Sequence, residues 1–181
     1  MNREVFVSPR PSLPLRQEYV LLGLIRRHPI HGYELLQIWN EPHGIGYIWR
    51  IKPGPLYAAL EKLEQIGYLQ STPVETGSSP TRKEFHLTSV GEQVFLNWMQ
   101  TPVPAARDFR QDFLAKLYFS TDVDRAVLDE LIERQRNLCQ HWLDSLQQQL
   151  LTGNEFEQRA VTFRIRQVQC ILEWLQEINS K

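Results

Sequence analysis

Two cations and a tyrosine at the start of one helical pattern have the chemistry to bind phosphate groups. Arg50 and Lys52 stand just before and beside Pro53, and Tyr57 follows one turn later. Proline suits the first turn of a helix, and the partial positive charge and free amides of such a start attract anions. A tyrosine hydroxyl can donate to a phosphate oxygen, although a half-buried packing role would also suit Tyr57.

Histidines and cysteines offer little support for metal binding. His28 and His31 are three residues apart, but Pro29 breaks the helix that would present them together. We therefore predict no metal site and no cofactor. Cys139 and Cys170 fall on helices that are expected to pair, and two buried thiols are a simpler interpretation than a redox switch. The three remaining histidines are scattered: His43, His86 and His141.

The sequence contains no pattern of catalytic residues. It lacks a G-x-S-x-G turn, a glycine-rich phosphate loop and a spaced nucleophile and base, so we predict that the chain is not an enzyme. Hydrophobic residues make up 42%, which is enough for a packed core. There is no apolar run of the ~20 residues that a membrane span needs, and two cysteines fit a reducing cytoplasm.

The net charge of −1 gives no general attraction to nucleic acid. Any affinity for DNA must come from local pairs of cations, such as Arg50 with Lys52 and Arg82 with Lys83. The last two would lie at the base of a hairpin tip and could contact a DNA backbone, or they could be an ordinary pair on the surface.

The helical pattern from Pro53 to Gly67 must position the candidate phosphate ligands. One apolar stripe should anchor it, and Gly67 should end it. Residues outside the stripe would leave the other side of the helix free. The stripe residues are Leu56, Leu60, Leu63 and Ile66, and the residues outside it are Lys52, Tyr57, Ala58, Glu61 and Lys62.

Earlier elements are marked by proline and glycine. We predict a flexible arm over residues 1–14, a helix over 15–28 and a turn at Ile30-His31-Gly32. A second helix should follow over 32–40, with Tyr33 nearer its outer face. Arginines of the arm could contact DNA, but a solvated tail is the simpler interpretation. The core residues of the second helix would be Leu35, Leu36 and Trp39.

A short strand at Trp49-Arg50-Ile51 and a later hairpin complete the expected β structure. The hairpin would pair residues 68–72 with 83–87 around a flexible tip at 75–80. Thr88 should cap a helix over 89–100. The apolar face of that helix would pack on the tail helices of the same chain or meet a partner or ligand. Its residues are Val90, Val94, Phe95, Trp98 and Met99.

The segment from Thr101 to Ala105, with two prolines in three residues, is the predicted boundary between two domains. A short helix should end near Ser120, and Thr121-Asp122 should cap the next helix. Two long amphipathic helices joined at Gly153-Asn154 would form a hairpin whose leftover apolar surface favours a two-fold partner. The stripe expected on the last helix is Phe156, Ala160, Phe163, Val168, Ile171, Leu175 and Ile178.

These motifs together resemble the PadR family of transcriptional regulators. The matching segments are HGYELLQIW (31–39), PGPLYAALEKLEQIGYL (53–69), TRKEFHLTSVGE (81–92) and the helical tail. The resemblance implies a mainly α fold with a small β-wing. A winged helix-turn-helix domain over 15–101 would precede an α-helical dimerisation and effector domain over 102–181.

The resemblance also implies roles for individual residues. It links Tyr57 to DNA contact, and it gives Tyr33 a structural role close enough to DNA for a phosphate contact. Lys52 and Pro55 depart from the family pattern, which often has Ser or Thr there, and this predicts an altered operator preference. The predicted DNA-binding residues are Arg50, Lys52, Gly54, Tyr57, Ala58, Lys62, Arg82, Lys83 and Tyr33.

Residues and resemblance lead to one expected function. The chain should be a cytoplasmic homodimer that binds operator DNA, and a small hydrophobic or phenolic effector could release it. The resemblance implies that it acts as a repressor. The alternative is a winged-helix adaptor that binds proteins and not DNA, which the near-neutral charge favours. The candidate pocket for an effector is formed by Phe95, Trp98, Phe109, Phe113 and Trp142.

Overall fold

The computed structural model describes residues 16–74 and 82–179. The predicted arm over 1–14 and the hairpin tip at 75–80 lie outside these residues. Ten helices and strands occupy the described ranges, together with short 3₁₀ and π turns. They are α1 (Arg16–Arg27), β1 (Ile30–His31), α2 (Gly32–Asn40), α3 (Pro53–Gln65), β2 (Leu69–Val74), β3 (Arg82–Leu87), α4 (Ser89–Gln100), α5 (Leu114–Tyr118), α6 (Arg125–Leu150) and α7 (Glu155–Asn179). The fold is thus mainly α with a small β-wing, as predicted.

The three strands form one antiparallel sheet in the order β1-β3-β2. The hairpin of β2 and β3 pairs Leu69 with Leu87, and β1 pairs Ile30 with Phe85. The expected turn at Ile30-His31-Gly32 is therefore wrong, because the first two of these residues extend and pair with β3. Two residues give no alternating pattern, so the sequence alone carries no signal for this strand.

The expected strand at Trp49-Arg50-Ile51 is also wrong. Side chains of α2, and not a neighbouring strand, satisfy this backbone. The Asn40 amide accepts from the Ile51 N–H and donates to the Ile51 carbonyl, each at 3.0 Å. The indole of Trp39 donates to the Trp49 carbonyl at 3.0 Å. These bonds hold the entry to α3 in place without a sheet.

Helix α3 has the expected buried stripe and the expected stop. Leu56, Leu60 and Leu63 are fully buried, and Ala59, which the predicted stripe did not include, lies beside them. Gly67 ends the helix with φ of +77°, a conformation that costs a glycine little. Ile66 is more exposed than predicted because the helix ends at Gln65 and its side chain no longer follows the helical stripe.

Two hydrophobic cores lie on either side of residues 101–105. The first holds residues of α1 to α4 and the sheet, and the second holds Phe109, Phe113 and residues of α6 and α7. Ala115 and Phe119 nevertheless pack in the first core, so the two cores interlock. Val103 is buried, and Gln135 of α6 accepts from its N–H at 2.7 Å and donates to its carbonyl at 3.3 Å. These two hydrogen bonds hold the proline-rich segment against α6.

Helices α4 to α7 confirm most of the predicted pattern and correct parts of it. Thr88 caps α4, and its hydroxyl accepts from the Gly91 N–H at 3.1 Å. Asp124 occupies the cap position of α6, so the expected cap at Thr121-Asp122 is wrong; the carboxylate of Asp122 instead accepts from Arg27 at 2.7 Å. In α4, Val90 is exposed, whereas Phe95 and Trp98 are buried.

The last helix buries fewer residues than its apolar pattern suggests. Phe156 and Phe163 are 78% and 69% exposed, because the side of α7 that packs on α6 centres on Val161, Val168 and Leu175. Within the described residues, no helix is long and apolar enough to cross a membrane.

Candidate nucleic-acid interface

The outer side of α3 carries the largest share of the predicted site. Its buried stripe faces the first core, and the opposite side is open to solvent. Tyr57 is 45% exposed. Gly54 and Ala58 are also exposed, so the backbone of α3 is accessible along two turns. This side of α3 is therefore a surface of small side chains, with the ring of Tyr57 at its edge.

Four predicted residues meet in one open cavity between α2, α3 and the wing hairpin. This cavity has a volume of about 510 Å³, and both tyrosines and both wing cations line it. The tyrosines are Tyr33 and Tyr57, and the cations are Arg82 and Lys83. The Gln37 amide donates to the Tyr33 hydroxyl at 3.1 Å. Residues from three elements therefore face the same volume.

Sequence reasoning missed two residues that build this cavity. His31 places its Nδ1 3.1 Å from the carbonyl oxygen of Lys83, which ties β1 to the wing. A Cβ at Gly32 would lie 2.6 Å from the ring of Tyr57, so only glycine allows this ring position. The HGY segment was the available signal, but its role depends on β3, which lies more than fifty residues later.

Two of the predicted DNA-binding cations are already paired with carboxylates. Lys62 lies 2.8 Å from Glu18 of α1, whose side chain is only 1% exposed. Lys83 lies 2.9 Å from Glu64, which also accepts a hydrogen bond from the Ser71 hydroxyl. These two bonds, the Ser71 bond first, lower the pKa of the Glu64 carboxyl. Both lysines are thus partly neutralised at the edges of the surface.

The remaining cations are more available. Arg50 and Lys52 are exposed beside the start of α3, and Arg82 is exposed at the start of β3. None of the three forms an ion pair with another residue in ranges 16–74 and 82–179. Arg50 and Lys52 lie apart from the cavity, so the site has one cationic patch at the helix start and another at the wing.

The start of α3 offers fewer amide donors than the helical pattern predicted. Pro53 and Pro55 have no amide hydrogen, and the Leu56 N–H donates to the Lys52 carbonyl at 3.2 Å. Gly54 is therefore the only donor among residues 53–55. No side chain caps the helix at Lys52. Any attraction of this helix start for a phosphate would therefore depend more on the side chains of Arg50 and Lys52 than on backbone amides.

The predicted effector residues do not form one pocket. Phe95 and Trp98 pack in the first core, and Phe109 and Phe113 pack in the second. Trp142 lines a cavity of about 460 Å³ between the segment 104–107 and the hairpin of α6 and α7, and Phe109 lines a separate cavity of about 460 Å³ beside α7. Arg107 and Arg164 also line the cavity beside Trp142.

The cysteines show no reactive pair. Cys139 is buried, and burial raises the pKa of its thiol to about 11, so the thiol is protonated at neutral pH. Cys170 is exposed, which corrects the expectation of two buried thiols; its position on α7 faces away from α6. The part of the chain that the structure covers contains no cluster of His, Cys, Asp and Glu that could hold a metal ion.

Two family models match this sequence, one in each half of the chain. The sequence model described as "Transcriptional regulator PadR-like family" matches residues 21–97, which span most of α1 to α4. A second model, "Virulence activator alpha C-term", matches residues 109–181. Residues 21–97 are thus similar to the PadR-like family of transcriptional regulators. Members of this family are regulators and not enzymes.

The chain is also similar to a curated relative and to solved structures. It is 27% identical over 130 residues to the Negative transcriptional regulator PadR of Bacillus subtilis, covering 72% of this chain and 70% of the relative. The crystal structure of Bacillus subtilis PadR with operator DNA has 23% identity and a TM-score of 0.48, covering 90% and 96% of the two chains. The same protein with p-coumaric acid has 22% identity and a TM-score of 0.44, covering 91% and 96%.

Proposed function

We propose that this PadR-like regulator binds operator DNA through α3 and the wing and represses transcription as a homodimer in the cytoplasm. The observation that carries the proposal is the open outer side of α3 between two patches of exposed cations. A winged helix-turn-helix places such a helix in the major groove, and cations at its ends would hold the phosphates on either side. The curated Bacillus subtilis relative is a negative regulator, which supports repression.

Each predicted residue has a place in this arrangement. Arg50 and Lys52 would contact the phosphates near the start of α3, and Arg82 and Lys83 would contact those beside the wing. Tyr57 and Tyr33, which line the cavity, would contact the DNA backbone between these two groups of phosphates. Gly54 and Ala58 would let the helix approach the groove closely, and Lys62 would contribute only after exchanging Glu18 for a phosphate.

We further propose that residues 102–181 form a dimerisation and effector domain next to the winged domain over 15–101. Phe156 and Phe163 project from the same side of α7, and Cys170 and Trp174 continue that side. Large exposed apolar side chains in a row favour burial against a second copy. A two-fold dimer would place two recognition helices on successive half-sites, roughly one DNA turn (~34 Å) apart.

A small hydrophobic or phenolic effector would fit the cavity beside Trp142 better than the two cores. Aromatic and aliphatic surface from Trp142 and Leu146 lies there beside the guanidinium groups of Arg107 and Arg164. The cavity is bounded partly by the segment that joins the domains. A ligand with different affinities for two arrangements of that segment would shift the DNA-binding equilibrium.

The test is binding of the full chain to duplex DNA from upstream of its own gene over a salt series. A regulator that neutralises phosphates loses affinity steeply as salt rises, and removing one phosphate contact lowers the logarithmic slope by roughly one. We expect Lys52→Ala and Arg82→Ala each to weaken binding and reduce this slope. Arg134→Ala on α6 is the matched control, because it removes an exposed cation far from α3.

Two results would contradict the proposal. A flat salt dependence in the wild-type chain would favour the protein-binding adaptor, which needs no phosphate contacts. Equal slopes for Lys52→Ala, Arg82→Ala and the Arg134→Ala control would place any DNA affinity elsewhere on the molecule.

A further inference from the structure

The most outward side of α3 is a single row of four residues. At about 100° per residue, positions 54, 58, 61 and 65 face away from the buried stripe of Leu56, Leu60 and Leu63. All four are exposed. In order they are Gly54, Ala58, Glu61 and Gln65. The row therefore begins with two residues that have almost no side chain and ends with two long polar ones.

This order of sizes controls how closely the helix can approach a surface. A Cβ at Gly54 would have no heavy atom within 4 Å, so nothing in the described chain fills the space in front of it. Ala58 adds only a methyl group. A partner can therefore approach the backbone of the first two turns, and Glu61 is the first side chain that reaches beyond it.

Glu61 differs from the other charged residues of α3 because no described side chain neutralises its charge. Glu64 is held by Lys83 and Ser71, and Lys62 is held by Glu18. Glu61 has no hydrogen bond or ion pair with any side chain that the structure describes, over residues 17–74 and 82–178. Among the described side chains, none neutralises this carboxylate at the centre of the candidate DNA-binding surface.

A free carboxylate in a DNA groove is repelled by phosphates unless a base donates a hydrogen bond to it. Ionised carboxylates only accept, and the donors on the floor of the major groove are the amino groups of cytosine N4 and adenine N6. Adenine places the acceptor N7 beside its amino group, where it would repel the second carboxylate oxygen. Cytosine has no such neighbour on its own edge, and it is the usual partner of Glu.

We propose that Glu61 is a specificity-determining residue that accepts a hydrogen bond from a cytosine amino group in the major groove of each half-site. The inference rests on the proposed function, since it requires α3 to enter the groove. Guanine and thymine present acceptors to the carboxylate at that position, so they are rejected by repulsion as well as by a missing bond.

The experiment is selection of bound sequences from a random duplex library by the full chain and its variants. The wild-type chain should enrich a motif with one position per half-site restricted to cytosine. Glu61→Ala should enrich the same motif without that restriction, and Glu61→Gln should change the preferred base, because an amide both donates and accepts. Glu133→Ala on α6 is the matched control and should leave the motif unchanged.

Binding to isolated sites gives the magnitude. Replacing the selected cytosine by thymine should weaken wild-type binding roughly tenfold or more, and it should leave the binding of Glu61→Ala nearly unchanged. Glu61→Ala should also bind unrelated duplex more tightly at low salt, because one repulsive charge is gone.

The outcomes separate this inference from the function on which it rests. If the wild-type chain binds no duplex, the proposed function fails and the inference fails with it. If the wild-type chain enriches a motif that Glu61→Ala reproduces with the same stringency, DNA binding stands and the role of Glu61 is wrong. A restriction to adenine, guanine or thymine in place of cytosine would also overturn it.

Discussion

At the scale of single residues, the least expected feature is a buried lysine where the two cores meet. Lys116 of α5 is 1% exposed, and its ammonium donates to the Trp98 carbonyl and lies 4.3 Å from the centre of the Trp98 ring. The same indole stacks on the ring of Tyr19 of α1, with ring centres 5.2 Å apart, and its N–H donates to Asp112 at 2.8 Å. Burial lowers the pKa of Lys116 from 10.5 to about 7, although Asp112 opposes this.

This depressed pKa predicts a pH-dependent cost. Below about pH 7 the lysine is charged in both folded and unfolded states, so the desolvation cost is fully present. Between pH 7 and 10.5 the unfolded chain binds the extra proton, and stability rises with pH. Lys116→Met should therefore raise the free energy of unfolding near pH 7 by about 1–3 kcal/mol. The gain should shrink toward pH 9.5.

Urea unfolding at the two pH values measures this difference. Lys52→Met is the control, because Lys52 is exposed and its loss should change stability little at either pH. A Lys116→Met variant that is less stable than the wild type near pH 7 would show that the charged contacts with Trp98 outweigh burial.

At the scale of elements, helix ends follow from local chemistry and strand pairing does not. Gly67 ends α3 because glycine readily adopts a positive φ, and Thr88 starts α4 because its hydroxyl caps the first turn. Both effects depend on only a few neighbouring residues. Strand β1 exists because Ile30 and His31 meet Phe85 and Glu84, fifty residues away, so no local pattern could reveal it. The same limit explains Gly32, whose role becomes clear only from the position of Tyr57.

The Thr88 cap supports a specific expectation. Its hydroxyl accepts from the Gly91 N–H at 3.1 Å and lies 2.8 Å from the Gly67 carbonyl and 3.0 Å from that of Tyr68, so it links the end of α3 to the start of α4. Thr88→Ala should lower the free energy of unfolding by about 1–2 kcal/mol, and Thr88→Ser should retain most of it. Chemical denaturation of both variants is the measurement; equal losses would mean that the methyl group, and not the hydroxyl, stabilises this junction.

At the scale of the whole molecule, the amphipathic pattern of α6 and α7 predicts a hairpin but not which apolar residues it leaves exposed. Helical spacing placed Phe156 and Phe163 in the same stripe as Val168 and Leu175. The hairpin buries the latter two and leaves both phenylalanines in solvent. Similarly, the apolar face of α4 could be derived from its period, but its partners, Tyr19, Lys116 and Phe119, required the tertiary structure.

Exposed phenylalanines on α7 predict a dimer that a charge should weaken. Phe163→Asp should shift the chain toward a monomer, because an aspartate in an apolar interface must be desolvated without a partner. Analytical ultracentrifugation over a concentration series should show a dissociation constant raised at least tenfold, with circular dichroism unchanged. Leu151→Asp is the control, since Leu151 is also exposed but lies at the hairpin turn. A wild-type chain that stays monomeric at high concentration would contradict the dimer.

The packing of Phe119 decides how short a fragment containing α1 to α4 can be. Its ring packs against Gly23, where an added Cβ would lie 2.6 Å from the ring. Nearby, Arg26 donates a hydrogen bond to the Asp122 carbonyl at 2.8 Å. A fragment that ends at the proline-rich segment would lack Phe119 and would expose to solvent the side of α1 on which Phe119 packs. We therefore expect the smallest fragment that folds by itself to extend to about Val123. The packing of Phe119, and not the position of the prolines, sets this boundary.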